Sequence, residues 1–402
     1  MILFPPVADA AAAELGGRLA RARERAGFSQ DDVALLIGQQ RPVISNWENG
    51  SRTPKLRQFE QLAAIYRVSL AVLLGQEPVE ERPSFELLLF RDANDRLGPP
   101  AKQEIQRFLG FLDTYADFLD DLHEPGGLNR SPFSIGSGFS TREDVKRRAQ
   151  QAREFLGLGE GSVGDLRSLV DVAGITVCIG ALGQDLSSAV SGVFVPHPKV
   201  GFSILINGQT TPGRQLFTLA HELAHALFHG DRLYVGYFGR RESYERFADS
   251  FAGEFLVPSQ SLRSVVEKFG VSKVTDAEIV VHLQRIFQVS YATMLVRLRA
   301  SELIREEDFQ RLQEAKPVHL ALQLGYVVKQ EEWGQDPDQW GLRRFPHRFL
   351  RLLRSELLAD RISVSTAAQM TSLAHEDILD LLASESPQAT DAEDIEYLAA
   401  SG

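Results

Sequence analysis

The stretch RQLFTLAHELAHALFHG, from Arg214 to Gly230, constrains this chain more than any other. No Gly or Pro interrupts Arg214 to His229, and Gly230 supplies a stop signal, so one helix is expected there. Inside it, His221-Glu222-Leu223-Ala224-His225 is an HExxH motif. Histidines four positions apart stack on one helix face, one turn apart. Two imidazoles so placed can grip one metal ion, and Glu222 beside them can polarise a water there. A third ligand must come from a later segment and leave one coordination position open.

Glu245 is the first choice and Glu242 the second. Glu245-Arg246-Phe247-Ala248-Asp249 reads ExxxD, with Phe247, Ala248, Phe251 and Ala252 at helical spacing. Asp249 then shares a face with Glu245 and is placed to accept the outer N–H of a ligand histidine. Two histidines and one carboxylate favour Zn2+, with Mn2+ or Fe2+ as alternatives. HExxH arises by chance roughly once in a hundred chains of this length. An ExxxD a short loop later makes chance a poor explanation.

A chain of 402 residues implies two or three domains. The lone cysteine, Cys178, excludes an intrachain disulfide and a cysteine-rich metal site. It lies in the apolar run GITVCIGAL, which points to a buried structural thiol. The N-terminus lacks a signal-peptide pattern, and no apolar run is long enough to span a bilayer, so a cytoplasmic location is expected. Net charge is −11, but Leu15 to Gly75 holds nine Lys/Arg against five Asp/Glu. That segment carries +4 and the rest −15. A basic end on an acidic body fits a terminal module that meets phosphate.

Residues 1–14 read as an Ala-rich lead-in and 15–76 as five short helices. Leu15, Leu19 and Ala22 form one stripe. Ser29 is placed to cap the next helix, with Asp31 and Asp32 in its first turn. Gly38 makes a turn before a third helix from about Gln40 to Glu48. Val43 and Trp47 read as core. This short helix, glycine turn, short helix plan is that of a helix-turn-helix. The segment resembles the phage-repressor (Xre/Cro) family, with G-x-S-Q, V-I-S-N-W-E-N-G and T-P as the points of match. The resemblance implies that the third helix enters the major groove of double-stranded operator DNA. Gln40, Arg41, Ser45 and Asn46 are then the base readers, and Gln30 and Arg52 the phosphate contacts. Such modules bind palindromes as dimers, so a homodimer is expected.

Residues 77–140 read as a connector. It holds an apolar patch, Leu87 to Phe90, and a long amphipathic helix from Lys102 to Leu119, whose apolar face needs the body or a second subunit. Glu124 to Ser140, rich in Gly, Pro and Ser, reads as a flexible linker. From Thr141 a capped helix begins, another follows over 163–173, and GITVCIGAL, SAVSGVFV and VGFSILIN read as three strands of a small twisted sheet. An exposed edge at the strand ending in Asn207 is expected to bind extended peptide by β-augmentation. Beyond Pro258 the pattern is helical, and 261–402 reads as a regulatory or dimerising region. DAEIVVHLQRIFQVSYATMLVRLRASELI reads as a single helical run.

FTLAHELAHALFH, then E-x-x-A-D-x-F-A-G-E-F-L-V-P, with GFSILIN and Arg214 upstream, resembles the ImmA/IrrE family of metallopeptidases. The resemblance covers roughly residues 141–260. It implies a zincin-like peptidase with His221, His225 and Glu245 as metal ligands, Glu222 as general base and a helix-turn-helix repressor as protein substrate. Tyr234, Tyr237, Tyr244 and His229 are the candidates for stabilising the oxyanion. The expected fold is therefore α+β and mostly helical: a five-helix DNA-binding domain, a small peptidase domain with a short sheet, and a helical C-terminal part. The expected function is a DNA-binding regulator with a metal-dependent endopeptidase domain. The alternative is a transcription factor whose peptidase-like domain only senses metal, ligand or a partner.

Overall fold

The computed structural model describes residues 7–78, 98–133, 141–183, 190–229, 237–327 and 340–383. The Leu87–Phe90 patch and Tyr234 lie outside them. Five helices open the chain: α1 (Val7–Arg25), α2 (Gln30–Leu36), α3 (Arg41–Glu48), α4 (Leu56–Tyr66) and α5 (Leu70–Leu74). The first starts inside what reads as a lead-in. The Ala-rich run has high helix propensity and continues the helix backward. Ser29 caps α2 by accepting from the Asp32 N–H, and Asp32 returns the bond to the Ser29 N–H. Leu19, Ala22, Phe28, Val33, Ile44, Trp47, Phe59, Leu62 and Leu73 build one core among these helices. Arg23 ties it together. Its guanidinium meets Glu48 at 2.6 Å and donates to the Phe28 carbonyl at 2.8 Å.

Three strands follow further along: β1 (Thr176–Gly180), β2 (Gly192–His197) and β3 (Gly201–Asn207). Their order is β1-β3-β2, with β1 parallel and β2 antiparallel to β3. The strand that ends at Asn207 is therefore central, and the expectation that it offers the edge is corrected. The edge strands are β1 and β2, and β2 is the one that runs beside the helix of the HExxH motif. Side chains alternate across the sheet. Val177, Phe194, Phe202, Ile204 and Ile206 face one core, while Cys178, Val193, Val195 and Leu205 face the other.

The first core holds α7 (Arg142–Phe155), α8 (Leu166–Val172), α9 (Pro212–His229) and α10 (Tyr237–Leu256). It also takes in α11 (Ser259–Lys268), α12 (Ala277–Phe287), α13 (Tyr291–Ala300), α14 (Glu306–Gln313) and α15 (Pro317–Gln323). The run read as one helix breaks between α12 and α13. Gln288 is left-handed (φ 56°) and Ser290 caps α13, so the two meet at 101°. Among the described residues no single helix is long and apolar enough to cross a membrane.

The second core holds the connector helix α6 (Pro99–Asp121) and, after a 3-10 turn, α16 (His347–Leu358), α17 (Val364–Thr371) and α18 (His375–Ala383). Ile105, Phe108, Leu112 and Tyr115 of α6 lie against the sheet's outer face and Phe349. Of the two partners expected for this apolar face, the chain's own body covers it.

Of the stretch 124–140 read as a flexible linker, residues 134–140 lie outside the described residues, and 124–133 are bonded to the body. Gly127 donates to Val200 and Leu128 to Gly174, and Leu128 accepts from Phe202 at 2.7 Å. A Cβ on Gly126 would lie 2.0 Å from the Lys199 carbonyl, and one on Gly127 2.1 Å from that of Gly174. These glycines serve close approach to a neighbouring backbone, not freedom.

Candidate metal centre

The side of α9 that carries the HExxH motif turns toward α10 and β2. His221 and His225 approach through their Nε2 atoms, 3.1 Å apart. Glu245 of α10 brings one carboxylate oxygen to 3.3 Å from His221 Nε2 and the other to 3.8 Å from His225 Nε2. One ligand atom from each residue lies within 4.8 Å of the other two. Glu242, the second choice, sits in the same helix, and its side chain lies outside the described residues. The converging donors are two imidazole nitrogens and a carboxylate, the set that holds zinc in open sites. The residues present therefore fit the metal that the motif implies.

The outer ring atoms are also occupied. His221 Nδ1 donates to Asp249 Oδ1 at 2.9 Å, the relation read from the ExxxD spacing. His225 Nδ1 lies 2.8 Å from Nδ1 of His229, the last residue of α9. His229 is 2 % exposed, and its ring packs edge-on against Tyr244 at 4.6 Å. It faces inward behind His225, which removes it from the oxyanion candidates. Tyr244 is the ring that covers it, and the Tyr237 side chain lies outside the described residues.

Electrostatics follow from burial and contact. Burial pulls the His221 pKa down, but the Asp249 and Glu245 hydrogen bonds and the Glu222 charge outweigh it and raise it to about 10. Burial, with the His229 and His221 charges added, holds His225 well below the ordinary histidine range. Glu222 is buried, and burial pushes its carboxyl up to about 7 against the pull of His221. A cation seated among the three ligands would draw it back down.

Gly192, at the start of β2, was read only as part of a strand. A Cβ there would lie 2.6 Å from Thr218 Cγ2 and 3.0 Å from Glu222 Cγ. Only glycine lets the strand come this close to Glu222. Asn207 N–H bonds to Ser191 O at 2.9 Å, and Gly192 pairs with Ile206. By antiparallel alternation, Gly192 and Phe194 then turn their backbone groups outward, where no strand pairs among the described residues. Arg214, two turns before Glu222, donates to Ser191 Oγ at 3.1 Å.

The expected DNA-contacting residues gather around α3. Gln40 stands at its N-cap, and Gln40, Arg41 and Arg52 are exposed. Arg41 lies 3.7 Å from Asp31. Ser45 and Asn46 are half-buried. Gln30 is the other expected phosphate contact. It is half-buried, and its amide donates to Glu48 Oε2 at 2.8 Å, bracing α2 against α3.

Residues 170–299 match the family model of the IrrE N-terminal-like domain, and residues 19–73 match that of the helix-turn-helix. The chain joins a helix-turn-helix module to an IrrE N-terminal-like domain. It is 35 % identical over 113 residues to the radiation response metalloprotease IrrE of Deinococcus deserti, covering 26 % of this chain and 37 % of that protein. Against the protein of the same name from Deinococcus radiodurans it is 35 % identical over 95 residues, 22 % of this chain and 28 % of that one. It is 34 % identical over 74 residues to the HTH-type transcriptional regulator ImmR of Bacillus subtilis, 18 % of this chain and 58 % of ImmR. The chain thus spans little more than a third of the first of these relatives. A solved Mycobacterium tuberculosis transcriptional regulator aligns with 47 % of this chain and 51 % of its own, at 20 % identity and a TM-score of 0.27. That likeness is too slight to bear on function. The paired modules, a helix-turn-helix at one end and a metallopeptidase-like domain behind it, are those expected from the two motifs.

Proposed function

We propose that this chain is a DNA-binding transcriptional regulator whose IrrE N-terminal-like domain is a metal-dependent endopeptidase. The observation that carries the reading is the convergence of His221, His225 and Glu245 beside a buried Glu222, under the edge of β2. Those three residues would hold the metal. When bound, it supplies Lewis acidity to a water and to the scissile carbonyl. Glu222 accepts the water's proton and passes it to the leaving amine as the C–N bond breaks. Asp249 holds the His221 ring in place. The outward backbone groups of Gly192 and Phe194 would pair with an extended stretch of substrate. The substrate class this reading supports is a protein, a helix-turn-helix repressor first. Zinc is the metal proposed. Gln30, Gln40, Arg41, Ser45, Asn46 and Arg52 are proposed to face operator DNA.

The test begins with metal analysis of the full chain, then incubation with repressors encoded beside it. Ala at His221, His225 or Glu245 is expected to lose the metal. Glu222→Gln is expected to keep it and to lose cleavage. Wild-type cleavage by Glu222→Gln would refute the general-base role. Stoichiometric metal in Glu245→Ala would refute the third ligand. A second reading, a metal-sensing regulator without proteolysis, draws on the contact between the helix-turn-helix and the connector helix α6, which packs on the sheet. Lys102 of α6 bonds to Asp32 of α2 at 2.8 Å. It would be favoured if Glu222→Gln leaves regulation intact.

A further inference from the structure

We propose that His229 is a positioning residue for the metal ligand His225. It would fix that ring so that Nε2 faces the ligand cluster. The inference rests on the metal-site reading above and adds a residue to it.

A histidine ligates a metal through a nitrogen that carries no proton. For His225 that nitrogen is Nε2, the one facing His221 and Glu245. Its proton must then sit on Nδ1, which needs an acceptor in a buried place. The acceptor the fold supplies is His229 Nδ1, at 2.8 Å. The two metal-binding histidines are therefore supported differently. His221 leans on Asp249, a largely exposed carboxylate. His225 is 6 % exposed and Glu222 8 %, so a carboxylate behind His225 would add a negative charge to a dry site that already holds Glu222. An imidazole accepts the same hydrogen bond without that charge.

The His229 ring is itself held. It lies 4.6 Å from Tyr244 and 5.4 Å from Phe247, both on α10, the helix that carries Glu245. It thus links the helix of two ligands to the helix of the third. Asn at 229 would keep an acceptor, since its Oδ1 is as many bonds from Cα as the Nδ1 it replaces. Phe or Leu would keep apolar bulk and remove the acceptor.

The experiment titrates metal-free full-length protein with Zn2+ against a chromophoric chelator, and records the absorption of the Co2+ form. His229→Asn is expected to bind Zn2+ within about threefold of wild type, with the same Co2+ spectrum. His229→Phe and His229→Leu are expected to bind 10–100-fold more weakly, the usual effect of losing an outer partner of a ligand histidine. Thermal unfolding of each metal-free variant gives the purely structural cost. Wild-type affinity in His229→Phe and His229→Leu would overturn the proposal. So would an equal loss in His229→Asn and His229→Phe, since the acceptor would then not matter. Should wild type bind no Zn2+ at all, the metal-site reading falls first and this inference falls with it.

Discussion

Glu222 works in a space that its neighbours leave no slack in. It is buried against β2, and the strand approaches so closely that Gly192 has no room for a side chain. Gly192→Ala must therefore push Thr218 or Glu222 aside. Overpacking of this kind costs about 1–3 kcal/mol of stability. If Glu222 is the general base proposed, its displacement costs more in rate, on the order of 10²-fold for a shift near 1 Å. Cleavage by Gly192→Ala is expected to fall on that scale while metal content stays at the wild-type level. Unchanged cleavage would show that Glu222 tolerates the shift. The nearness of His221 and His225 was legible because an i, i+4 pair shares a helix face in any fold. His229 stands at that same spacing from His225, so its nearness was legible too. Its inward turn was not, because that depends on Tyr244 and Phe247 from another helix. Gly192 gave no signal, since its partner lies 30 residues away and the contact is tertiary.

At the level of elements, periodicity says that a face is buried but not against what. The stripe on α6 was plain in the sequence, and its covering by the sheet and α16 was not. Leu112 is fully buried there. Leu112→Ala is expected to cost about 2–5 kcal/mol. If the loss is internal, the melting temperature should drop by the same amount at every protein concentration. A drop that shrinks as concentration rises would place Leu112 in a subunit interface instead. The segment 124–133 teaches the complementary point. Gly and Pro mark loose chain on average, yet here Gly126 and Gly127 fit where any side chain would strike a carbonyl. Composition alone does not separate a hinge from a close approach.

The helix-turn-helix docks on α6. Lys102 bonds to Asp32, Gln106 donates to the Ala26 carbonyl at 3.3 Å, and Arg67 pairs with Asp113, which also meets His197 of β2 at 3.3 Å. Burial pushes the Asp32 carboxyl up, but its bonds to Lys102 and to the Ser29 amide outweigh that and hold it below the ordinary range. A depressed carboxyl stabilises above its free pKa, about 4, and loses that contribution as pH falls through its lowered value. The Asp32–Lys102 anchor is therefore expected to hold constant from pH 5 to 8 and to weaken only in acid. Scattering that shows the module released at pH 6 would contradict this.

The docked face includes Ala26, Gly27, Asp32 and Arg67, whereas Gln40, Arg41 and Arg52 remain exposed. The DNA face proposed on α3 thus has no need of undocking. This separates two ways in which the modules could work together. If docking hides no DNA-facing surface, removing the anchors should enlarge the molecule without changing its DNA affinity. The triple variant Arg67→Ala, Lys102→Ala, Gln106→Ala is expected to raise the radius of gyration and to leave operator Kd within about threefold of wild type at one salt concentration. Gln40→Ala in the same assay should relax base preference by roughly 1–3 kcal/mol, and Arg52→Ala should weaken all sequences alike. A tenfold or greater gain in affinity for the triple variant would show that docking masks part of the DNA face. Any ligand of the metal cleft that tightened docking would then weaken operator binding, and operator would weaken that ligand by the same factor. Unchanged affinity leaves DNA the simpler role of delivering the metal centre to proteins bound nearby.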